Sequence, residues 1–392
     1  MWAISAVRSH RDWRGVLYTK THNSGADNAT PHSPTIRNII RHPPTPMMGT
    51  RMIGATRGAR SMPLIQMPFA RERKEVAMAV EFGVLLPTRE AVMSGRPETA
   101  PMLAMAERAE AAGFDSVWIG DSLIAKPRHE PLTLLAAVAA RTRRVRLGTA
   151  VLLPALRNPV VLAQIVATLD RIAEGRVILG VGIAADSPPI RKEFAAAGVP
   201  WDRRVGRYLE TLEICRALWS RDGVSFSGKH FTLENITMEP KPHRPGGPPI
   251  WIGGSGPTAL RDAAKYDAWF PTGPSVEFFA ENFPRIQAAA RAAGRAPDAV
   301  TGAAYVTLAL DANAAAAEQR LHAFLEGYYG SPARVIMARQ ATYAGPIEGC
   351  VEWLQRWINA GARHISLRFA GGDQLAQVDE AASHLLPRLK RG

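Results

Sequence analysis

The residues best suited to do chemistry fall into two groups. One is the run Asp121-Ser122, followed within eight residues by Lys126, Arg128, His129 and Glu130, directly after the apolar segment SVWI. A carboxylate, a hydroxyl and an imidazole in one short loop could orient a ring or shuttle a proton, and Asp121, Ser122 and His129 are the catalytic candidates. An Asp at such a point also caps a turn, and both readings stand for Asp121. The other group is Gly253-Gly254-Ser255-Gly256-Pro257, which ends the apolar run PIWIGG and opens the segment PTALRDAAK. A strand-to-helix turn of this kind presents unpaired backbone N–H groups to a phosphate. A plain turn needs one glycine, whereas this one holds three, so the phosphate reading is preferred. Gly180 and Gly182 in GVGIAAD permit close approach of a flat ligand, although glycines at crowded positions also serve packing alone.

Other loop residues are weaker signals. Thr149, in LGTAV, is placed to face the same region. Arg157 and Asn158 precede Pro159, and an Asn before a helix-opening Pro reads first as an N-cap. Cys215 lies on an apolar face with Leu212, Leu218 and Trp219, and Cys350 opens a helix with no His nearby; neither suggests a metal site or a disulfide framework. HExxH, Walker lysine and GxSxG patterns are absent. The protein supplies a cradle, and the redox chemistry falls to an organic cofactor.

These residues need elements to position them, and from Glu81 onward the chain alternates short apolar runs with amphipathic segments. Strands are expected at 82–87, 116–121, 145–153, 176–183, 249–254, 268–271, 300–310 and 364–369. Helices lie between them, a hairpin excursion at VSFSGKHFTLENI, a looped stretch at 184–202 and a helical insertion at 311–345. Eight alternations predict an α/β fold, a (β/α)8 TIM barrel with insertions, in which functional groups sit on loops at the C-terminal strand ends. Arg128, His129 and the segments 184–202 and 311–345 are expected to line the substrate entrance. An open doubly wound sheet is the rival, but no GxGxxG follows the first strand.

Charge divides the chain differently. Residues 1–78 hold twelve Lys/Arg against four Asp/Glu, a balance of +8 out of the chain's +13, together with seven of its twelve methionines and no sustained period. They read as a disordered basic N-terminal extension, with Met78 a plausible start, and 79–392 as the barrel domain. Scattered basic residues on no periodic face make nucleic acid an unlikely partner. No secretory leader pattern or long apolar run occurs, so a cytoplasmic location off the membrane is expected.

Taken in order, EFGVLLP, AERAEAAGFDSVWIGDS, RVRLGTAVLLPALRNPVVLAQIVATLDRIAEGRVILGVGI, FSGKHFTLENITMEPKP, PPIWIGGSGPTAL and GPIEGCVEWLQRWINAGARHISLRF resemble the bacterial luciferase-like flavin-dependent oxidoreductases over 81–370. The resemblance implies a barrel-mouth FMN or deazaflavin (coenzyme F-420) and a homodimer. It also implies a phosphate-holding turn at Gly253, Gly254, Ser255 and Gly256, and a ring-side position at Thr149. Several deazaflavin-using members carry Asp-His where this chain has Asp121-Ser122, which weighs toward FMN without excluding deazaflavin. The expected activity is therefore a monooxygenase using reduced FMN and O₂ on a small organic substrate, with a separate flavin reductase as partner. The alternatives are deazaflavin-dependent hydride transfer without O₂, and a non-catalytic flavin- or nucleic-acid-binding protein. A chain beginning at Met78 is expected to keep the melting temperature and cofactor affinity of the full chain, and a large drop on thermal denaturation would show that the extension packs on the barrel.

Overall fold

A computed structural model describes residues 79–390. The basic extension expected at 1–78, and the boundary at Met78, lie outside the described residues. Eleven strands occur in order: β1 Glu81–Leu85, β2 Ser116–Ile119, β3 Arg146–Thr149, β4 Val177–Val181, β5 Val224–Ser227, β6 Thr232–Ile236, β7 Ile250–Gly253, β8 Ala268–Phe270, β9 Thr301–Leu310, β10 Thr342–Gly345 and β11 Ala362–Phe369. Parallel pairing runs β11-β1-β2-β3-β4-β7-β8, and β9 pairs with both β8 and β11. Eight strands therefore close into a (β/α)8 barrel, with helices between them on the outside, as the alternation predicts. The antiparallel β5–β6 pair is the expected hairpin excursion.

One expected looped region carries more order than its sequence suggested, and the expected helical insertion is helical with one added strand. The stretch at 184–202 contains the helix Pro188–Ala196, opened by two prolines whose missing N–H groups are harmless in a first turn. The insertion at 311–345 holds the helices Ala314–Tyr329 and Ala333–Met337 and ends in β10, which pairs parallel to the C-terminal half of β9. Ten-residue β9 outruns the short barrel strands, so its upper half leaves an open edge that TYAG covers. Four residues without alternation carry no strand signal of their own.

Side chains fill the barrel interior. The Trp118 indole lies 4.8 Å from the Phe270 ring and 5.2 Å from that of Trp251, centroid to centroid. Its flanking strands make room with glycine: a Cβ on Gly148 would stand 2.1 Å from the indole, and one on Gly83 would stand 2.4 Å from its nitrogen. Trp118 Nε1 donates to Ser116 Oγ (2.7 Å), which pairs with His364 Nε2 at 2.8 Å. His364 Nδ1 meets Glu81 Oε2 at 2.9 Å, and Glu81 is ion-paired to Arg146. Burial holds His364 well below the usual imidazole range, so it sits neutral in the barrel floor. Both cysteines are buried, and burial pushes their thiols up. No helix of the described residues is long and apolar enough to cross a membrane.

Replacing Gly148 with Ala forces a methyl against the Trp118 ring and is expected to destabilise the fold by about 1–3 kcal/mol. Chemical denaturation reads this directly; an unchanged midpoint would mean that the indole has room to shift.

Candidate active site

A cavity of about 200 Å³ opens above Phe270 at the C-terminal ends of the strands. One wall is apolar, built from Leu85, Ala150, Val151, Leu153, Ala184, Ile190 and Phe270. The other is polar, with Lys126, Arg128, Tyr305, Tyr328, Tyr329, Gln340 and Arg368. Asp121 and Ser122 also line the cavity.

The strand-two loop is braced from both sides. Asp121 accepts both Nη atoms of Arg157, at 2.6 and 3.1 Å, and the N–H of Leu153 at 2.9 Å. The side chain of Asp121 is 1% exposed, so the carboxylate ties the β2 loop to the β3 loop. Arg157 also reaches Glu130 at 3.0 Å, and Glu130 caps the helix Pro131–Arg141 through the Thr133 N–H. Ser122 Oγ donates to Glu193 Oε1 (2.6 Å) and accepts from the Lys126 N–H (2.9 Å). Glu193, fully buried on the helix Pro188–Ala196, also accepts from the N–H groups of Ile124 and Ala125. Both candidates thus face the cavity while their polar atoms hold the loop. His129 turns away from it, its Nε2 paired to the Pro97 carbonyl at 2.7 Å. Asn158 accepts from the N–H groups of Val160 and Val161 as an N-cap.

The cofactor candidates divide in the same way. Thr149 Oγ1 donates to the Gly180 carbonyl (2.7 Å), and the next two residues, Ala150 and Val151, joined by a cis peptide bond, reach the cavity in its place. A Cβ on Gly182 or on Gly253 would come within 2.8 Å of a Val151 methyl, so these two glycines make room for Val151. The remaining three are open. Gly254 has φ +106°, a conformation that L side chains rarely adopt, and its carbonyl is held by Trp269 Nε1 at 3.0 Å. A Cβ on Gly256 would meet nothing within 4 Å. Ser255 Oγ is shielded from solvent yet has no hydrogen-bond partner. The helix beyond, Pro257–Ala263, is two turns long and opens on a proline without an N–H. Any anion there rests on the loop amides and Ser255 more than on a helix dipole.

The polar wall is where sequence reasoning missed most. Arg368, on β11 and 2% exposed, donates to Thr307 Oγ1 (2.8 and 3.0 Å), Tyr329 Oη (2.9 Å) and Gln340 Oε1 (3.2 Å). Its guanidinium lies 4.9 Å from the Tyr328 ring centroid and 5.4 Å from that of Tyr305. Burial would raise the Tyr329 phenol, but the charges of Arg368 and Lys126, with hydrogen bonds from Arg368 and Gln340, outweigh it and hold the phenol below its ordinary range. Burial instead raises Tyr305 and Tyr328. Arg368 had a signal, since a charge near the C-terminal end of a barrel strand points to the mouth. Tyr328, Tyr329 and Gln340 lie in the segment 311–345 expected at the entrance, but nothing in the insertion singles them out within it.

The profile described as luciferase-like monooxygenase matches residues 80–369. An F420-dependent glucose-6-phosphate dehydrogenase of Amycolatopsis mediterranei is 29% identical over 321 residues, covering 74% of this chain and 94% of that protein. A phthiodiolone/phenolphthiodiolone dimycocerosates ketoreductase of Mycobacterium tuberculosis is 34% identical over 242 residues, 54% of this chain and 62% of the relative. Among solved structures, the monooxygenase RslO1 from Streptomyces bottropensis superposes with a TM-score of 0.66 at 26% identity, covering 78% of this chain and 99% of that one.

Ser122→Ala removes one hydrogen bond from a fully buried carboxylate and is expected to lower stability by about 1–3 kcal/mol. A melting curve that matches the parent would show that the β2 loop does not depend on the Ser122 hydroxyl.

Proposed function

Because the chain belongs to the luciferase-like monooxygenase family, we propose that it is a deazaflavin-dependent oxidoreductase, transferring a hydride between coenzyme F-420 and an alcohol or its carbonyl counterpart. The observation that carries this reading is the hydrogen-bonded Arg368–Tyr329–Gln340 group in the cavity wall. Chemistry with O₂ at a flavin favours a dry, apolar enclosure. Six of the seventeen residues that line this cavity are instead cations or phenols.

A bound deazaflavin would accept the hydride of an alcohol or, once reduced, give one to a carbonyl, and the protein's own residues would take or return the accompanying proton. Ser122 does not serve, because its hydroxyl is engaged with Glu193. Tyr329 is better placed: its Oη accepts from Arg368 Nη1 (2.9 Å) and Gln340 Nε2 (3.0 Å), contacts that stabilise a phenolate. It can hold a proton for a carbonyl oxygen or take one from an alcohol. The Asp-His pattern of deazaflavin users is thus answered by a proton carrier on another element. Ser255 Oγ and the amides of Gly254, Ser255 and Gly256 would hold the cofactor phosphate, which suits a shielded hydroxyl lacking a partner. The 29% identity to an F420-dependent dehydrogenase along 94% of that protein supports the choice of cofactor.

A second reading keeps FMN and O₂, with a separate reductase supplying reduced flavin. The likeness to RslO1 at 26% identity favours it. Titrating the chain with F420 and with reduced FMN separates the two. We expect deazaflavin to bind more tightly, and Ser255→Ala to weaken it about tenfold, the equivalent of one hydrogen bond to a charged group. Tyr329→Phe is expected to leave deazaflavin binding in place and to slow F420-linked oxidation across a panel of secondary alcohols by about a hundredfold. Binding of FMN alone, with an oxygen-dependent product, would overturn the hydride-transfer reading.

A further inference from the structure

The polar wall carries more positive charge than the proton transfer needs. Arg368, Arg128 and Lys126 line the cavity, and Arg89 adjoins them, its guanidinium 4.5 Å from the Tyr328 ring centroid. Among the described residues none of these four makes an ion pair. Arg128 donates to Tyr328 Oη (3.2 Å) and to the Lys126 carbonyl, and the Lys126 ammonium lies 5.1 Å from the Tyr329 ring centroid. Nearby Asp121 is already committed to Arg157, and burial raises Glu90, which weakens its hold on a negative charge. The Lys126 ammonium is itself destabilised, first by burial, which the nearby Tyr329 partly offsets, and further by Arg128, Arg89 and Arg368 around it. Cations gathered in a partly desolvated wall repel one another, and a wall of one sign concentrates counter-ions of the other.

We propose that Lys126, Arg128 and Arg368 form an anion subsite for the substrate, which therefore carries a carboxylate or phosphate group beside the carbon that is oxidised or reduced. This rests on the hydride-transfer reading above and adds to it the class of molecule that enters. Arg368 supplies a fixed charge, held by Thr307 and Gln340. Lys126 and Arg128 stand on the braced β2 loop and line the same cavity. The polar wall thus binds the anion while Tyr329, in the same wall, meets the neighbouring oxygen.

The test is calorimetric titration of the chain, without cofactor, with inorganic phosphate and with succinate. Wild type is expected to bind both saturably and in competition, and the one that displaces the other at lower concentration names the head group. The double variant Lys126→Gln/Arg128→Gln removes two loop charges without touching buried Arg368, and is expected to weaken binding at least tenfold with an unchanged melting temperature. Lys126→Arg, which keeps the charge, is expected to retain binding should the double variant prove unstable. Ser255→Ala separates the glycine turn. Binding lost there, and kept in the Gln/Gln variant, would place the anion in the turn and overturn the proposal, as would saturable binding of neither anion. Deazaflavin affinity is expected to be the same in wild type and the Gln/Gln variant; a parallel fall would mean that the cations face the cofactor, and would overturn a substrate subsite. Failure of wild type to bind deazaflavin would count against the hydride-transfer reading alone, since the anion titrations use no cofactor.

Discussion

The Trp118 indole decides how this barrel is filled. It is fully buried, meets Trp251 and Phe270, and can lie there only because β1 and β3 carry glycine beside it. Its nitrogen is satisfied through Ser116 to a neutral His364, so the indole sits in the barrel with its polar atom paired. Phe270, packed against the indole, also floors the cavity. Free volume is thereby confined to the strand ends, where loops of varied chemistry can surround it.

Around that volume the loops are cross-braced. The Arg157–Asp121 fork joins the β2 and β3 loops, and Ser122 with two backbone amides hangs the β2 loop from Glu193. Val151 sits between Gly182 and Gly253, locking the ends of β4 and β7 against the β3 loop. Groups that look reactive in isolation are here used to hold geometry. Binding and proton transfer gain from such rigidity, because a site held to a fraction of an ångström need not be reorganised during reaction.

Much of the fold was legible in the residues themselves. Short β-branched runs such as VILGV and long amphipathic ones such as VVLAQIVATLDRI differ in period, and eight alternations leave few architectures. The GGSG turn was legible for a similar reason: three glycines in four residues are a local backbone requirement, and Gly254 at φ +106° shows one of them being used. Those signals lie within a few residues of one another, so neighbours along the chain suffice to read them.

Roles that depend on distant partners were decided only in three dimensions. Asp121 and Ser122 read as reactive until Arg157 and Glu193, 36 and 71 residues further on, engage their oxygens. Thr149 looked ring-facing until the Gly180 carbonyl claimed its hydroxyl. Arg368, Thr307, Tyr329 and Gln340 come from four separate stretches, and nothing in any one of them announces a cluster. A hydrogen bond or a buried charge is a property of the pair, and barrel closure, which brings β9 against β11, is what makes these pairs.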